Sequence, residues 1–386
     1  VLLSIAITRQ ILSGAWDPDV EDKTMVIFAM PDTIVTRAQG MFAEFLAVVG
    51  ALHYGVVRGA AALRVEFRTP FYVDPARGPN WFAYFFEPTM VLNPSSPPQT
   101  PKTEVRYSAW LAHFGKLGSF SQVVTKGSAA AVPDPDFAMY PFPVTGALTL
   151  QRMRTLVQTY VKPLPSLVAA VDRIWSTELG LTSDDFVIGI HYRGLDKIDA
   201  YPFVPAPPDL FRATVDAVVA TYKPARWRVY IATDTQDFVD WAVQIWGDRV
   251  AARNISRIHV RDIVYDVDGT PIPLHKTKSV PAYDRAEGAV VDMLVLARTR
   301  YIIKNRSSLS DTSLAFAPPA TNYTFILGPD DPVYSSDTRI PRRMPFGEAA
   351  FMAQANAAAQ AASMTNLRKS ESSWWSSTFW WFFSIA

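Results

Sequence analysis

The chain contains no cysteine in 386 residues, which excludes disulfides, thiolate metal sites and a cysteine nucleophile. Many secreted enzymes of this size use disulfides, so their absence leans towards a reducing, cytoplasmic compartment, with the ER or Golgi lumen or a membrane surface as the alternative. Histidine is scarce: there are five, at no spacing that suggests a metal site. Excess charge is also missing, with 37 basic residues against 36 acidic ones and a net charge of +1. Bulk electrostatics therefore favour neither nucleic acid nor an anionic membrane, and any phosphate must be recognised locally. There is no G-x-S-x-G elbow and no G-x-x-x-x-G-K-[ST] loop, so hydrolase and nucleoside-triphosphatase readings lose support. The D-x-D triplets at Asp17/Asp19, Asp134/Asp136 and Asp266/Asp268 could hold a divalent metal. Two of them contain proline and the third sits in a turn, so ordinary turn chemistry explains all three. VLLSIAI (1–7) is too short to span a bilayer and reads as the remnant of a signal or anchor, or as a buried first strand. The chain opens on Val1, as a fragment, a processed chain or an incomplete gene model would.

The most informative stretch that is present is FVIGIHYRGLDK (186–197). Phe186 to Ile190 form a continuous apolar run, as a buried parallel strand does. His191, Arg193, Asp196 and Lys197 follow immediately. Ligands of open α/β sheets lie beyond the carboxyl ends of the strands. A guanidinium there matches phosphate oxygens in pairs, and an ammonium adds a point charge.

Along the rest of the chain, TMVIFAM (24–30) and AALRVEF (61–67) read as strands. Between them Phe42, Phe45, Leu46, Val49, Leu52 and Val56 recur at helical steps and predict an amphipathic helix over 41–57. The segment 70–102 is rich in proline, asparagine and aromatics, and its PSSPPQTP is a loop. Helices over 149–161 and 166–179 would bridge two domains. From residue 184 the pattern alternates: strands at 186–191, 227–233, around 257–261, 301–304 and 324–328, with helices at 209–222, 235–246, 284–299 and 309–317. YDVDGTPIPL (265–274) suggests a hairpin turning at Asp268-Gly269. This is the pattern of a Rossmann-like doubly wound sheet. Residues 347–363 are alanine-rich and helical. The tail SSWWSSTFWWFFSIA (372–386) falls short of a membrane span; membrane contact, packing against the body and a spurious extension are its three readings.

Several constellations carry candidate chemistry. Asp292 lies in the apolar helix AVVDMLVLA, where an unpaired charge is costly. Its carboxylate could accept the adjacent N1–H and N2–H₂ of guanine, a pair that adenine lacks, or it could pair with Arg285 or Arg298. The turn Asn305-Arg306-Ser307-Ser308 follows a strand and opens a helix, which makes an anion site of free amides, hydroxyls and helix dipole; the serines also serve simply as caps. Lys304 and Arg306 are extra cations aimed to one side by strand alternation. Asp234, at a further strand end, could bond a ribose, support Arg193 or cap the next helix. Gly40 precedes the first helix and permits close approach of a pyrophosphate. The N-x-[ST] triplets at Asn254, Asn305 and Asn322 are of a kind common by chance, and a glycan on Asn305 would obstruct the proposed turn.

The run H-Y-R-G-L-D-K resembles the H-x-R-x-x-D-K peptide of the fucosyltransferase superfamily that includes α1,6-fucosyltransferases, nodulation fucosyltransferases and protein O-fucosyltransferases. YIATDTQDF (230–238) resembles the family's strand ending in A-T-D, and GAVVDMLVLARTRYIIKNRSSLS (288–310) its aspartate-bearing helix, strand and serine turn. QGMFAEFLAVVGALHYG (39–55) and GPNWFAYFFEP (78–88) are similar to its amino-terminal half. The resemblance spans most of residues 20–345 and implies an α/β fold of two Rossmann-like domains facing a cleft (GT-B type). The boundaries expected are 20–180 for the acceptor side, 181–345 for GDP-sugar binding and 346–386 for the helix and tail.

The activity implied is inverting, metal-independent transfer of fucose from GDP-fucose to a hydroxyl of a glycan or glycoprotein, with no cofactor besides the donor. In this resemblance Arg193 contacts the β-phosphate, Ser307 and Ser308 hold it, and Asp292 and His191 hold the guanosine. Asp234 is the aspartate of A-T-D, and the Gly40 loop faces the donor across the cleft. Lys197 would orient phosphate or a carboxylate of the acceptor site, and Asp199 would assist deprotonation of the acceptor hydroxyl. One departure stands out: α1,6 enzymes carry two adjacent arginines where this chain has Arg193-Gly194. The rivals are a transferase using another GDP-sugar, a GDP-sugar-binding protein without transfer, and a tail-anchored structural protein. Nucleic acid is not an expected partner; membrane contact would run through the aromatic tail.

Overall fold

The computed structural model describes residues 24–28, 40–57, 59–69, 71–95, 104–108, 147–194, 206–255, 257, 281–305, 307–326 and 334–340. Its amino-terminal part is built on β1 (Thr24–Phe28), α1 (Met41–Val57), β2 (Ala62–Glu66), β3 (Thr89–Val91) and β4 (Glu104–Ser108). They form a four-stranded sheet of order β3-β2-β1-β4, parallel except for β3. A short 3-10 helix at Trp81–Tyr84 precedes β3 and starts on Asn80, whose side chain accepts from Phe82 N–H. The strand β3 lies inside the proline-rich stretch and, like β4, has no counterpart in the sequence reading. In β3, three residues at a sheet edge leave no alternation to read.

The helix α1 departs from the amphipathic expectation, for Met41 through Leu52 are all buried. The reason is a second layer. The helices α2 (Ala147–Tyr160) and α3 (Pro165–Arg173, continued by a π turn to Glu178) lead into the second half, and α2 packs on α1. Buried Glu44 is satisfied by Thr69 Oγ1 and by Trp81 Nε1 at 2.9 Å, which is how a carboxylate survives inside that helix.

The second sheet comprises β5 (Phe186–Tyr192), β6 (Trp227–Thr233), β7 (Val250–Ala252), β8 (Tyr301–Lys304), β9 (Asn322–Phe325) and β10 (Tyr334–Ser335), in the order β10-β9-β8-β5-β6-β7. Only β10 is antiparallel. The helices α4 (Pro208–Tyr222) and α5 (Gln236–Trp246) cover one face, where Ile188, Ile190, Val229, Ile231 and Ile303 meet Phe211, Val215 and Phe238. The helices α6 (Ala282–Arg298) and α7 (Ser308–Phe316) cover the other, with Val187, Tyr230, Ile302 and Phe325. That second core is continuous with the amino-terminal one: Phe316 of α7 lies 5.7 Å from Phe45 of α1, centroid to centroid. Two Rossmann-like sheets thus share an apolar layer of helices.

The chain leaves β5 in one direction towards β6 and β7, then crosses back to β8 on β5's other side, with the helices changing face. The topological switch point, where open α/β sheets bind ligands, therefore falls between the carboxyl ends of β5 and β8. Gly189 tunes the distance there. A Cβ on it would lie 2.8 Å from Thr299 Oγ1 and 2.9 Å from Leu296 Cδ2, so only glycine lets the end of α6 sit this low on β5.

The expected hairpin at 265–274, the helix at 347–363, the aromatic tail, VLLSIAI and all three D-x-D triplets lie outside the described residues, as does almost all of the strand expected around 257–261. Among the described residues no helix is long and apolar enough to cross a membrane.

Candidate functional site

The strands β5, β6 and β7 end side by side, and α6 arches over them. Between them opens a cavity of ≈ 480 Å³, within the range of small-ligand sites. His191, Arg193, Asp234 and Asp292, all candidates from the sequence, line this one cavity. Gly288, Ala289, Ala232, Ile255 and Leu309 give it apolar walls.

Arg193 is placed by contacts from Asn305 and Asp234. Its backbone N–H donates to Asn305 Oδ1 at 3.1 Å, and Asn305 Nδ2 donates back to Arg193 O at 3.0 Å. One buried carboxamide thus ties the end of β5 to the end of β8 across the switch point. Asp234 Oδ2 lies 3.5 Å from Arg193 Nε and steadies the guanidinium. Asp234 Oδ1 is 3.4 Å from the N–H of Gly194, so Asp234 supports Arg193 and its neighbour. The cap of α5 is Thr235, not Asp234.

Gly194 is tightly enclosed. A Cβ at that position would come within 2.8 Å of both Thr235 Oγ1 and Tyr192 Cε1, so no longer side chain fits without displacing them. Tyr192 is itself packed flat on Phe238, centroids 4.0 Å apart, and burial pushes its hydroxyl up to about 12.

Asp292 is buried, and its partners are neither of the arginines expected. Oδ1 accepts from the Tyr230 hydroxyl at 2.8 Å and from Arg253 Nη1 at 3.0 Å. Arg298 pairs with Asp172 instead, and Arg285 donates to Phe71 O. Burial, then the Asp292 charge, hold the Tyr230 hydroxyl well above its ordinary pKa, so it is a donor at any working pH. Burial works against the Arg253 charge, but Asp292 outweighs it and the net shift is upward.

Lys304 corrects a second expectation. It is not a cation facing a phosphate: it is 2% exposed, ion-paired to Asp311 of α7 and 4.7 Å from the Phe325 ring centroid. Strand alternation placed it on the His191 side of the sheet, but Asp311, one turn into α7, captures it. Ser307 caps α7, accepting from Leu309 N–H at 3.3 Å, and Ser308 O accepts from Thr312 Oγ1. Neither serine lines the cavity, whereas Leu309 of the same turn does. At the other end of α7, Arg154 of α2 donates Nε, Nη1 and Nη2 to the carbonyls of Leu314, Pro319 and Thr321 at 2.9, 3.1 and 3.1 Å.

Gly40 is exposed at the start of α1, and a Cβ there would meet nothing within 4 Å. Nearby, Tyr72 takes the N–H of Met41 on its hydroxyl at 2.9 Å. Burial and Glu44 raise that hydroxyl's pKa, while the charges of Arg193 and Arg285 oppose them. The amino-terminal half thus comes within electrostatic reach of Arg193. Lys197, Asp199 and Arg306 lie outside the described residues. The sequence reading named Asn305 only as part of the anion turn, and it did not name Arg253, because the short strand β7 that Arg253 follows was itself not read.

No family model matches the chain, and no curated protein matches it. Solved structures it is similar to include the fucosyltransferase NodZ from Bradyrhizobium, at 14% identity over 82% of this chain and 99% of that one, TM-score 0.42. FUT1 of Arabidopsis thaliana in complex with GDP is another, at 11% identity, 86% and 75% coverage and TM-score 0.42. POFUT1 in complex with GDP gives 11% identity, 79% and 99% coverage and TM-score 0.36.

Proposed function

We propose that the protein is a glycosyltransferase that takes fucose from GDP-fucose and passes it to an acceptor hydroxyl with inversion. The observation that carries this reading is the convergence of Arg193, Asp234, His191 and Asp292 in one cavity at the carboxyl ends of β5, β6 and β7. The guanine lies at the Asp292 end, against the flat wall that Gly288 and Ala289 leave on α6. The diphosphate lies at the Arg193 end, near the first turn of α7, where free amides and helix dipole favour an anion. Fucose as the sugar comes from the likeness of H-Y-R-G-L-D-K to the fucosyltransferase peptide.

The acceptor oxygen attacks the anomeric carbon, the bond from that carbon to the β-phosphate oxygen breaks, and GDP leaves with the electron pair. Arg193 stabilises the charge that develops on that oxygen, an interaction stronger in the transition state than before it. Asp234 and Asn305 hold the guanidinium in place for this. Asp199 receives the acceptor proton, and Lys197 aligns the phosphate or an acidic acceptor. The diphosphate charge is met by cations and the α7 terminus, so the chemistry runs without a metal.

Thermal unfolding in the presence of GDP-fucose, GDP-mannose, UDP-glucose and ADP tests the donor. Ligand at 100 times its Kd stabilises by about 2.7 kcal/mol. GDP-sugars should raise Tm and the others should not. A rise with UDP-glucose or ADP equal to that with GDP-fucose would overturn the reading. A rise with GDP-mannose larger than with GDP-fucose would replace the sugar and keep the site.

A further inference from the structure

Arg253 follows β7 directly, lines the cavity and is 10% exposed, yet the reading above gives it no task. Its pairing with Asp292 is one-sided. An arginine whose whole role is to neutralise a carboxylate favours the two-pronged fork, two nitrogens on two oxygens. Here Nη1 alone touches Oδ1, at 3.0 Å, and the same nitrogen also donates to Gly288 O at 2.9 Å. Tyr230 fixes that oxygen from the other side at 2.8 Å. Among the described residues, Asp292 Oδ2 and Arg253 Nη2 bond nothing, and Arg253 Nε is buried without a partner. The cavity wall therefore offers a fixed acceptor next to a fixed donor.

Guanine carries the complementary edge, N1–H and N2–H as donors beside O6 as acceptor. Adenine presents the reverse at the same two places, with N1 as acceptor and N6–H₂ as donor. We propose that Arg253 is a specificity-determining residue, donating to O6 of the guanine while Asp292 Oδ2 accepts from N1–H and N2–H. This rests on the cavity being the nucleotide site. Adenine is rejected twice, because its acceptor faces a carboxylate and its donor faces a guanidinium. Buried polar groups left unmatched by the wrong ligand give strong discrimination.

Titration calorimetry with GDP, IDP and ADP separates the two residues, because IDP keeps O6 and N1–H but lacks the 2-amino group. The wild type should bind in the order GDP, IDP, ADP. Arg253→Met should weaken GDP and IDP alike, by roughly 10- to 100-fold for a charged hydrogen bond, and leave ADP within a factor of about 3. Asp292→Asn should instead collapse the GDP-to-IDP ratio. Equal weakening of GDP and ADP by Arg253→Met would reduce Arg253 to a structural counter-ion and overturn the proposal. If that variant does not fold, Arg253→Lys keeps the charge beside Asp292 without the fork. It should still lower the GDP-to-ADP ratio, and an unchanged ratio would overturn the proposal. A wild type indifferent to GDP and ADP would remove the nucleotide reading and this one with it. A selective wild type with an unaffected ratio in the Arg253 variants would remove only the role of Arg253.

Discussion

Replacing Asn305 by aspartate changes one nitrogen to one oxygen at the point where β5 and β8 are joined. In the native chain the carboxamide accepts from Arg193 N–H at 3.1 Å and donates to Arg193 O at 3.0 Å. An ionised aspartate keeps the first bond and turns the second into two oxygens in contact with no proton between them. Losing a buried bond and facing a carbonyl with a carboxylate should cost on the order of 2–4 kcal/mol. A protonated carboxyl, however, has the carboxamide's pattern, one acceptor and one donor. Its folded pKa must therefore rise above the unfolded value of about 3.9, by roughly 1.5–3 units for that cost. The sign follows from linkage: the variant equals the wild type below about pH 4 and loses stability as pH rises through the folded pKa, to a full deficit near pH 7. Urea unfolding of both proteins at pH 4, 5, 6 and 7 measures the difference, in which acid effects common to both cancel. A deficit that does not change with pH, or one below about 0.5 kcal/mol throughout, would refute the clamp.

Gly288→Leu should fill the cavity from the α6 wall, where a Cβ meets nothing within 4 Å. GDP affinity should fall at least tenfold while thermal stability holds or rises, since leucine is the better helix former by up to about 1 kcal/mol. Arg154→Lys keeps a charge but cannot reach the three carbonyls the guanidinium bonds, so stability should drop by roughly 2–4 kcal/mol in denaturant titrations. Asp337 has its carboxyl held down to about 2 by the Arg339 side chain and by the Tyr222 hydroxyl. A depressed pKa contributes stability above the unfolded value of about 3.9 and loses it as pH falls towards 2, so Asp337→Asn should flatten the acid-unfolding profile in that window.

The strands that organise the site were the easiest to read. β5, β6 and β8 are buried on both faces, and such strands announce themselves as unbroken apolar runs. α6 was placed to within two residues by its apolar AVVDMLVLA run, and α7 to within one by the serine turn that opens it. β3 and β7 escaped because three residues at a sheet edge carry no periodicity. The solvated face expected of α1 was wrong because periodicity reports which residues face a core and not that a second helix layer covers the rest. His191, Arg193, Asp234 and Asp292 could be found because they sit at strand ends or in an apolar helix, places where a polar residue is conspicuous. Partners were not legible: Asp292 took Arg253 and Tyr230 in place of its neighbours in sequence, and Lys304 went to Asp311. Pairing depends on which loops fold back together, and spacing along one chain does not encode that.

Turnover of GDP-fucose by the wild type and by Arg193→Lys, followed as GDP released in excess EDTA, tests the central claim most directly. Lysine keeps the charge and loses the planar fork, so a residue that acts on the developing charge should lose more turnover than affinity. The account predicts release by the wild type despite the chelator and a fall of roughly 100- to 1,000-fold in the variant, with GDP-fucose affinity changed far less. Near-normal turnover in Arg193→Lys, or wild-type release that stops in EDTA and returns with manganese, would contradict it.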